Sequence, residues 1–265
     1  MPQTQLSSHR AYFRIEGDAG RPALALLHPI GSDHSLWDSV TALLIPRFQV
    51  LRPDLRGHGG SEAPSGEYSL DGLTDDFCEL SERLGLSEIH LCGLSIGGMV
   101  AASVAARVPK LVRTLTLCST APRLPPPPGG WDGRAQAALA GGMAPVADGM
   151  MQRMIGPKFA ASAVPALGTL RSVVALSDPV GYAGACAVLR DVDLAPVLDR
   201  VQAPTLVVYG ESDGLMPPGS AHVMSSRLRR SRLVHLRCGH FPPLELPEAF
   251  ARELSAWAMG DASGG

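Results

Sequence analysis

The sequence predicts an α/β protein with a mostly parallel central sheet, helices on both of its faces, and a small helical cap inserted between two strands. Three observations carry this expectation. Short apolar runs of strand type recur along the chain, segments of helical character separate them, and the alternation stops for one long stretch in mid-chain.

The strand runs are Ala23–Leu27 (ALALL), the stretch around Val50–Leu51, Ile89–Cys92 (IHLC), Leu115–Cys118 (LTLC), Thr205–Tyr209 (TLVVY) and Leu233–Leu236 (LVHL). Each is short and almost continuously apolar, as a strand covered on both faces should be. Helical periodicity over Leu36–Leu44, Leu70–Leu84 and Ile96–Arg107 supplies the crossovers that parallel strands require. The pattern breaks after Ser119. Residues 122–128 read PRLPPPP, a stiff and extended punctuation mark. From there to about Leu194 the chain is rich in Ala, Gly and Met, with helical patches and no strand. The expected division is therefore a core of residues 1–121 and 196–265 and a helical cap of residues 122–195.

Bulk properties narrow the function classes. The 265 residues, 45% of them hydrophobic and 18% charged, suffice for one large domain with an insertion and argue against disorder. A net charge of −2 without a long basic run argues against nucleic acid as a partner. The local cluster of Arg227, Arg229, Arg230 and Arg232 reads as a solvated helix end. Residues 1–20 lack an apolar core of signal-peptide length, and no stretch of membrane-spanning length is free of charges or breakers. The expectation is a cytoplasmic protein with no membrane partner, and homo-oligomer formation is left open. Cys78, Cys92, Cys118, Cys186 and Cys238 lack the paired spacing of a zinc site and read as reduced, mostly core residues.

Gly93-Leu94-Ser95-Ile96-Gly97 follows a strand and opens a helix. A serine on so tight a turn needs flanking glycines, because neighbouring side chains have no room. The turn exposes the hydroxyl beside the unpaired N–H groups of a helix start. Ser95 is thus the candidate nucleophile. A serine hydroxyl needs a base, and the base an orienter, in the chain order Ser, acid, His. Of eight histidines only His222, His235 and His240 follow Ser95. His222 falls in a helix and His235 inside a strand, whereas His240 follows Cys238-Gly239 past the last strand. His240 is therefore the candidate base. Asp213, just after TLVVY, is the candidate orienter, with Glu211 as nearest rival and Asp191 and Asp193 as weaker ones. The oxyanion of an acyl-transfer intermediate needs two N–H donors. One is Ile96. The other comes from His28-Pro29-Ile30-Gly31, where Pro29 has no N–H and Ile30 is the natural donor. His28 reads as a fastener of that loop. The cluster Asp54-Leu-Arg-Gly-His58-Gly-Gly-Ser61 fits neither a metal-ligand set nor a phosphate loop and reads as a structural turn.

With those residues placed, the chain resembles the α/β-hydrolase superfamily along nearly its whole length. The blocks are LLHPIGSDHSLWD, PDLRGHGGSEAP, LCGLSIGGMVA, TLVVYGESD and CGHFPPLELPEAF. Within the superfamily it is similar to the 3-oxoadipate enol-lactonases of aromatic catabolism. Residues 30–38, the Tyr68-Ser-Leu and Asp75 pattern, and the stretch Gly181 to Leu194 carry that narrower likeness. Phe-Pro-Pro-Leu-Glu after His240, Arg153-Met154 in the cap and the proline run depart from it. The resemblance implies an α/β-hydrolase fold and the same roles for Ser95, Asp213 and His240. It also implies a small ester or lactone as substrate, with no cofactor and no metal. The substrate of such a lactonase carries a carboxylate, which makes Arg134 and Arg190 candidate contacts. Trp131 and Met143, Met150, Met151 and Met154 would form an apolar wall. Rival readings are a carboxylesterase or arylesterase, a perhydrolase, a C–C bond hydrolase, and a ligand receptor with weak turnover.

Overall fold

The alternation along the chain becomes an alternation in space. In the computed structural model, which describes residues 2–216 and 218–260, the strands are β1 (Gln3–Gln5), β2 (Arg10–Glu16), β3 (Ala23–Leu27), β4 (Gln49–Pro53), β5 (Ile89–Leu94), β6 (Val112–Cys118), β7 (Thr205–Gly210) and β8 (Ser231–Leu236). They form one sheet in the order β1-β2-β4-β3-β5-β6-β7-β8, with β1, β2 and β4 paired antiparallel and every other pairing parallel. β5 and β7 are buried at every residue and Leu24 to Leu27 of β3 are fully covered, which is why these strands read as unbroken apolar runs.

The amino-terminal stretch adds to what the sequence reading assigned. β1 and β2 were not expected, because neither carries a strand signal of its own. In β2 the buried residues Ala11, Tyr12 and Phe13 are consecutive and Arg14 is exposed, so the period of two is absent.

The core helices are α1 (Asp38–Leu44), preceded by a 3-10 turn at His34–Trp37, α2 (Leu70–Arg83) and α3 (Ile96–Arg107). Between β6 and β7 lie α4 (Gly130–Gly141), α5 (Ala144–Met154), α6 (Pro157–Ser162), α7 (Val164–Ala175), α8 (Pro179–Asp191) and α9 (Ala195–Leu198). After β7 come α10 (Pro218–Arg227), α11 (Pro242–Glu245) and α12 (Pro247–Met259). α3 is buried from Ile96 through Ala105, as befits the helix packed beneath the centre of the sheet. Among the described residues no single helix is long and apolar enough to cross a membrane.

The helical insertion is fastened to the core by backbone, at glycines. Asp178 caps α8, accepting from the N–H groups of Val180 at 2.7 Å and Gly181 at 3.3 Å. The next residues of α8 lie directly on the core loops. A Cβ added to Gly181 would sit 2.0 Å from the Gly57 carbonyl oxygen, and one on Gly184 would sit 2.8 Å from the Tyr68 ring. The Tyr68 N–H donates to the Gly184 carbonyl at 3.0 Å. Glycines three apart on one helix face thus let two backbones meet. Gly133 in α4 has nothing within 4 Å of such a Cβ. Gly181→Ala should therefore cost about 1–3 kcal/mol through forced displacement. Gly133→Ala should be neutral or stabilising by up to about 1 kcal/mol. Urea unfolding of the two variants checks this, and equal effects would show that the Gly57–Gly181 contact is not what holds the insertion.

Candidate active site

Ser95 sits between β5 and α3 with φ 56° and ψ −119°, a conformation that side chains rarely adopt. Its surroundings leave no alternative. A Cβ on Gly93 would lie 2.1 Å from the Gly97 carbonyl oxygen, and one on Gly97 would lie 2.4 Å from that of Leu27. The Ser95 N–H donates to the Cys118 carbonyl at the end of β6, 2.9 Å away. The turn is therefore stitched between the carboxyl ends of β3 and β6. Ser119, just past β6, shares the positive φ at 43°, a feature no sequence pattern announced.

His240 and Asp213 stand on the loops after β8 and β7. The His240 Nδ1–H donates to Asp213 Oδ2 at 2.8 Å, while Asp213 Oδ1 accepts from the N–H groups of Leu215 at 2.9 Å and Met216 at 3.0 Å. Both carboxylate oxygens of the buried Asp213 are thus occupied. A proton on Nδ1 leaves Nε2 of the neutral ring as the free base. Ser95 and His240 line one cavity, together with Ile30. The N–H groups of Ile30 and Ile96 have no hydrogen-bond partner among the described residues. Ile96 opens α3, where an unpaired N–H is inherent to a helix start.

The rest of that cavity comes from the helical insertion and is largely apolar. Leu124, Trp131, Met150, Met154 and Leu189 contribute, with Leu215 and Phe241 from the core loops. Arg134 is the one charged side chain that joins His240 in the lining. Its Nε–H donates to the Tyr182 hydroxyl at 2.5 Å, and its guanidinium lies 5.9 Å from the Trp131 ring centre and 5.7 Å from that of Tyr182. Burial pushes the Tyr182 phenol up, so it stays protonated and accepts from the arginine through a lone pair.

Other candidates fall elsewhere. Arg190 does not line the cavity, which corrects the expectation that it contacts substrate. Its guanidinium is held at the surface by Glu67 at 2.8 and 2.9 Å, Asp132 at 2.7 Å and Asp191 at 2.8 Å. Three carboxylates from separate stretches of chain claim its donors. Of the rival orienters, Asp191 is spent on Arg190 and Asp193 pairs with Arg123 at 3.0 Å. Glu211 is exposed. His235 on β8 shares a hydrogen bond with the hydroxyl of Tyr209 on β7, with His222 beside it. Met143 is buried outside the lining, as is Met151 in part. Sequence reasoning missed Leu124, Leu189, Leu215 and Phe241, which carry no signal beyond being apolar.

The family model described as the alpha/beta hydrolase fold matches residues 22–247. A 3-oxoadipate enol-lactonase of Acinetobacter baylyi is 29% identical over 91% of this chain and 90% of its own. A pimeloyl-acyl-carrier-protein methyl ester esterase of Nitrosomonas europaea is 30% identical over 91% of this chain and 97% of its own. The crystal structure of the enol-lactonase from Burkholderia xenovorans LB400 superposes with a TM-score of 0.94 at 31% identity, covering 97% of this chain and 100% of that one.

The Asp54–Ser61 segment spends its polar groups on itself and on the neighbouring His28, His34 and Asp76. The His28 Nδ1–H donates to the Pro29 carbonyl at 2.8 Å, and Nε2 accepts from the Leu55 N–H at 2.9 Å, so this ring fastens two loops as a neutral tautomer. Asp54 accepts from the His34 N–H at 2.7 Å and from the Gly60 N–H at 2.8 Å. Arg56 grips Asp76 through two nitrogens, at 2.8 and 2.6 Å. The His58 Nδ1–H donates to the Arg56 carbonyl at 3.0 Å, while its Nε2 is buried without a partner among the described residues. Burial, reinforced by His28, pushes the His58 imidazolium down to about 4. An unfolded imidazole takes its proton near 6.5 and the folded one only near 4, so unfolding binds protons between these values. His58 should therefore cost the fold roughly 2–3 kcal/mol as pH falls through that window. His90, also pushed down to about 4, adds its own share. Urea unfolding of wild type and His58→Gln between neutral pH and about pH 5 checks this. The variant should be less stable at neutral pH and lose less on acidification; parallel pH curves would refute the assignment.

Proposed function

Because the chain belongs to the alpha/beta hydrolase family, we propose that it is a serine hydrolase working through an acyl-enzyme on Ser95. The observation that carries this reading is one cavity lined by both Ser95 and His240, with Asp213 2.8 Å behind the far nitrogen of the imidazole. Ser95 Oγ attacks the carbonyl carbon of an ester or lactone as His240 Nε2 takes its proton. The carbonyl oxygen becomes an oxyanion between the N–H groups of Ile30 and Ile96. Asp213 holds the ring in the required tautomer and stabilises the imidazolium that forms. His240 then protonates the departing alcohol or enol oxygen, and a water activated by the same nitrogen releases the acid.

For the substrate we propose a small lactone or ester that carries a carboxylate, with 3-oxoadipate enol-lactone as the leading candidate. Two lines support it. The similar proteins include enol-lactonases in sequence and in structure. The cavity pairs an apolar lining with the single cation Arg134, whose Nε is already oriented by Tyr182. A second reading, a neutral alkyl or aryl ester, is favoured by the likeness to the methyl ester esterase.

Ser95→Ala should abolish turnover and labelling by a fluorophosphonate; a variant that still turns over at the wild-type rate sinks the acyl-enzyme. An ultraviolet assay of enol-lactone loss set beside aryl acetate hydrolysis separates the two substrate readings. Arg134→Ala should lower kcat/KM for the anionic lactone about 10–100-fold, the value of a hydrogen bond to a charged group. Its effect on the neutral acetate should be small. Equal losses on both substrates would make Arg134 a packing residue and favour the neutral-ester reading.

A further inference from the structure

The loop carrying His240 is held from behind by a carboxylate that the reaction above does not use. Glu245 closes α11 and is 7% exposed. Its Oε2 accepts from the N–H groups of Gly239 and Gly156, each at 2.9 Å, and its Oε1 accepts from that of Phe241 at 3.3 Å. The N–H groups on either side of His240 therefore end on one carboxylate. The third donor belongs to the insertion, at the residue that opens α6. The His240 N–H itself donates to the Met154 carbonyl at the end of α5, 2.6 Å away.

An independent observation marks the same point. A Cβ on Gly156 would lie 2.5 Å from Glu245 Oε2, and one on Gly239 would lie 2.4 Å from both Gly156 N and the Met154 carbonyl oxygen. One on Gly210 would lie 2.0 Å from the Gly239 carbonyl oxygen. Three segments distant in sequence converge here, and the one side chain the glycines leave room for is the Glu245 carboxylate. No cation pairs with Glu245 among the described residues. Burial pushes its carboxyl up, while the N–H groups of Gly239, Gly156 and Phe241 and the nearby imidazole hold it down. An apolar side chain in this spot would leave the three N–H groups buried and unpaired.

We propose that Glu245 is a positioning residue that sets His240 over Ser95 by tying the backbone on both sides of the imidazole to Gly156 of the insertion. The seating of the insertion and the proton transfer are then adjusted together. The inference rests on the Ser95–His240 reading. Among the described residues, Asp213 from the β7 loop and Glu245 from α11 act on His240, and Arg134 from α4 and the Ser95 hydroxyl from the turn after β5 line the same cavity. Met154 and Phe241 complete its neutral contacts.

The test uses the full chain, a fluorophosphonate to label Ser95, 4-nitrophenyl acetate for turnover, and thermal unfolding as a control. Glu245→Gln removes the charge and turns an NH2 toward a donor. Glu245→Asp keeps the charge but cannot reach all three N–H groups. Both should lower the labelling rate and kcat about ten- to a hundredfold with KM little changed, as expected for a misplaced base. In Glu245→Gln the acid limb of kcat/KM should move to lower pH, because the imidazolium has lost one of two neighbouring anions. In Glu245→Asp the limb should stay. A folded Gln variant that labels like wild type, with its acid limb unmoved, overturns the proposal. So do losses in both variants that merely follow the unfolded fraction. If the Gln variant does not fold, the Asp variant decides by the same labelling rate. A wild-type chain that is not labelled at Ser95 would instead overturn the hydrolase reading itself.

Discussion

The crossing of backbones around Ser95 is the constraint from which the site is built. β5 must end, reverse and open α3 within two residues, beneath the loop that leaves β3 and beside the end of β6. At that junction the Gly97 Cα lies so near the Leu27 and His28 carbonyl groups that any Cβ would collide with them. The serine accepts a positive φ that costs on the order of 1–3 kcal/mol. What sustains it is the burial of α3 and β5 on all sides, which leaves the turn no other path. The same geometry sets the hydroxyl at the carboxyl edge of the sheet, beside the unpaired N–H of Ile96. The position of the hydroxyl, the strain and the unpaired N–H beside it thus follow from one packing requirement.

Charge is then kept away from the place where the strain holds Ser95. Around the site ionic groups are consumed in local partnerships: Arg56 by Asp76, Arg190 by three carboxylates, Asp54 by His34 and Gly60. The buried imidazoles of His28 and His58 are held neutral by burial. What remains in the lining is an imidazole, a hydroxyl, the Ile30 N–H and one guanidinium. In so dry a setting each remaining dipole acts at low dielectric, where it is worth far more than in water.

How far this was legible in the sequence depends on whether a signal was local. The inner strands were legible because burial on both faces writes an unbroken apolar run. The meeting of Ser95, His240 and Asp213 at one end of the sheet was legible because the elbow needs glycines and chain order limits the partners. β2 was not, since it lies in the antiparallel part of the sheet and buries three consecutive residues. Arg190 misled because its partners Glu67 and Asp132 lie 123 and 58 residues away, and nothing in a linear reading brings them together. Glu245 was visible only as part of Phe-Pro-Pro-Leu-Glu, a block that stood out as a departure. Its meaning lies in Gly156, 89 residues away.

The insertion does more than roof the site. Its helices contribute Trp131, Arg134, Met150, Met154 and Leu189 to the lining, and its backbone reaches the core through Gly181, Met154 and Gly156. The free volume beside Ser95 is about 10 Å³, on the order of a single water. Unbranched Met150 and Met154 in the lining are suited to rearrangement. Met154 also holds the His240 N–H through its carbonyl. A side chain suited to rearrangement and a backbone that holds the base thus belong to one residue. Substrate shape and the placement of the base are coupled through the chain itself, which confines tolerance to side-chain motion. A shift of the α5 backbone would carry His240 with it, because its N–H ends on the Met154 carbonyl.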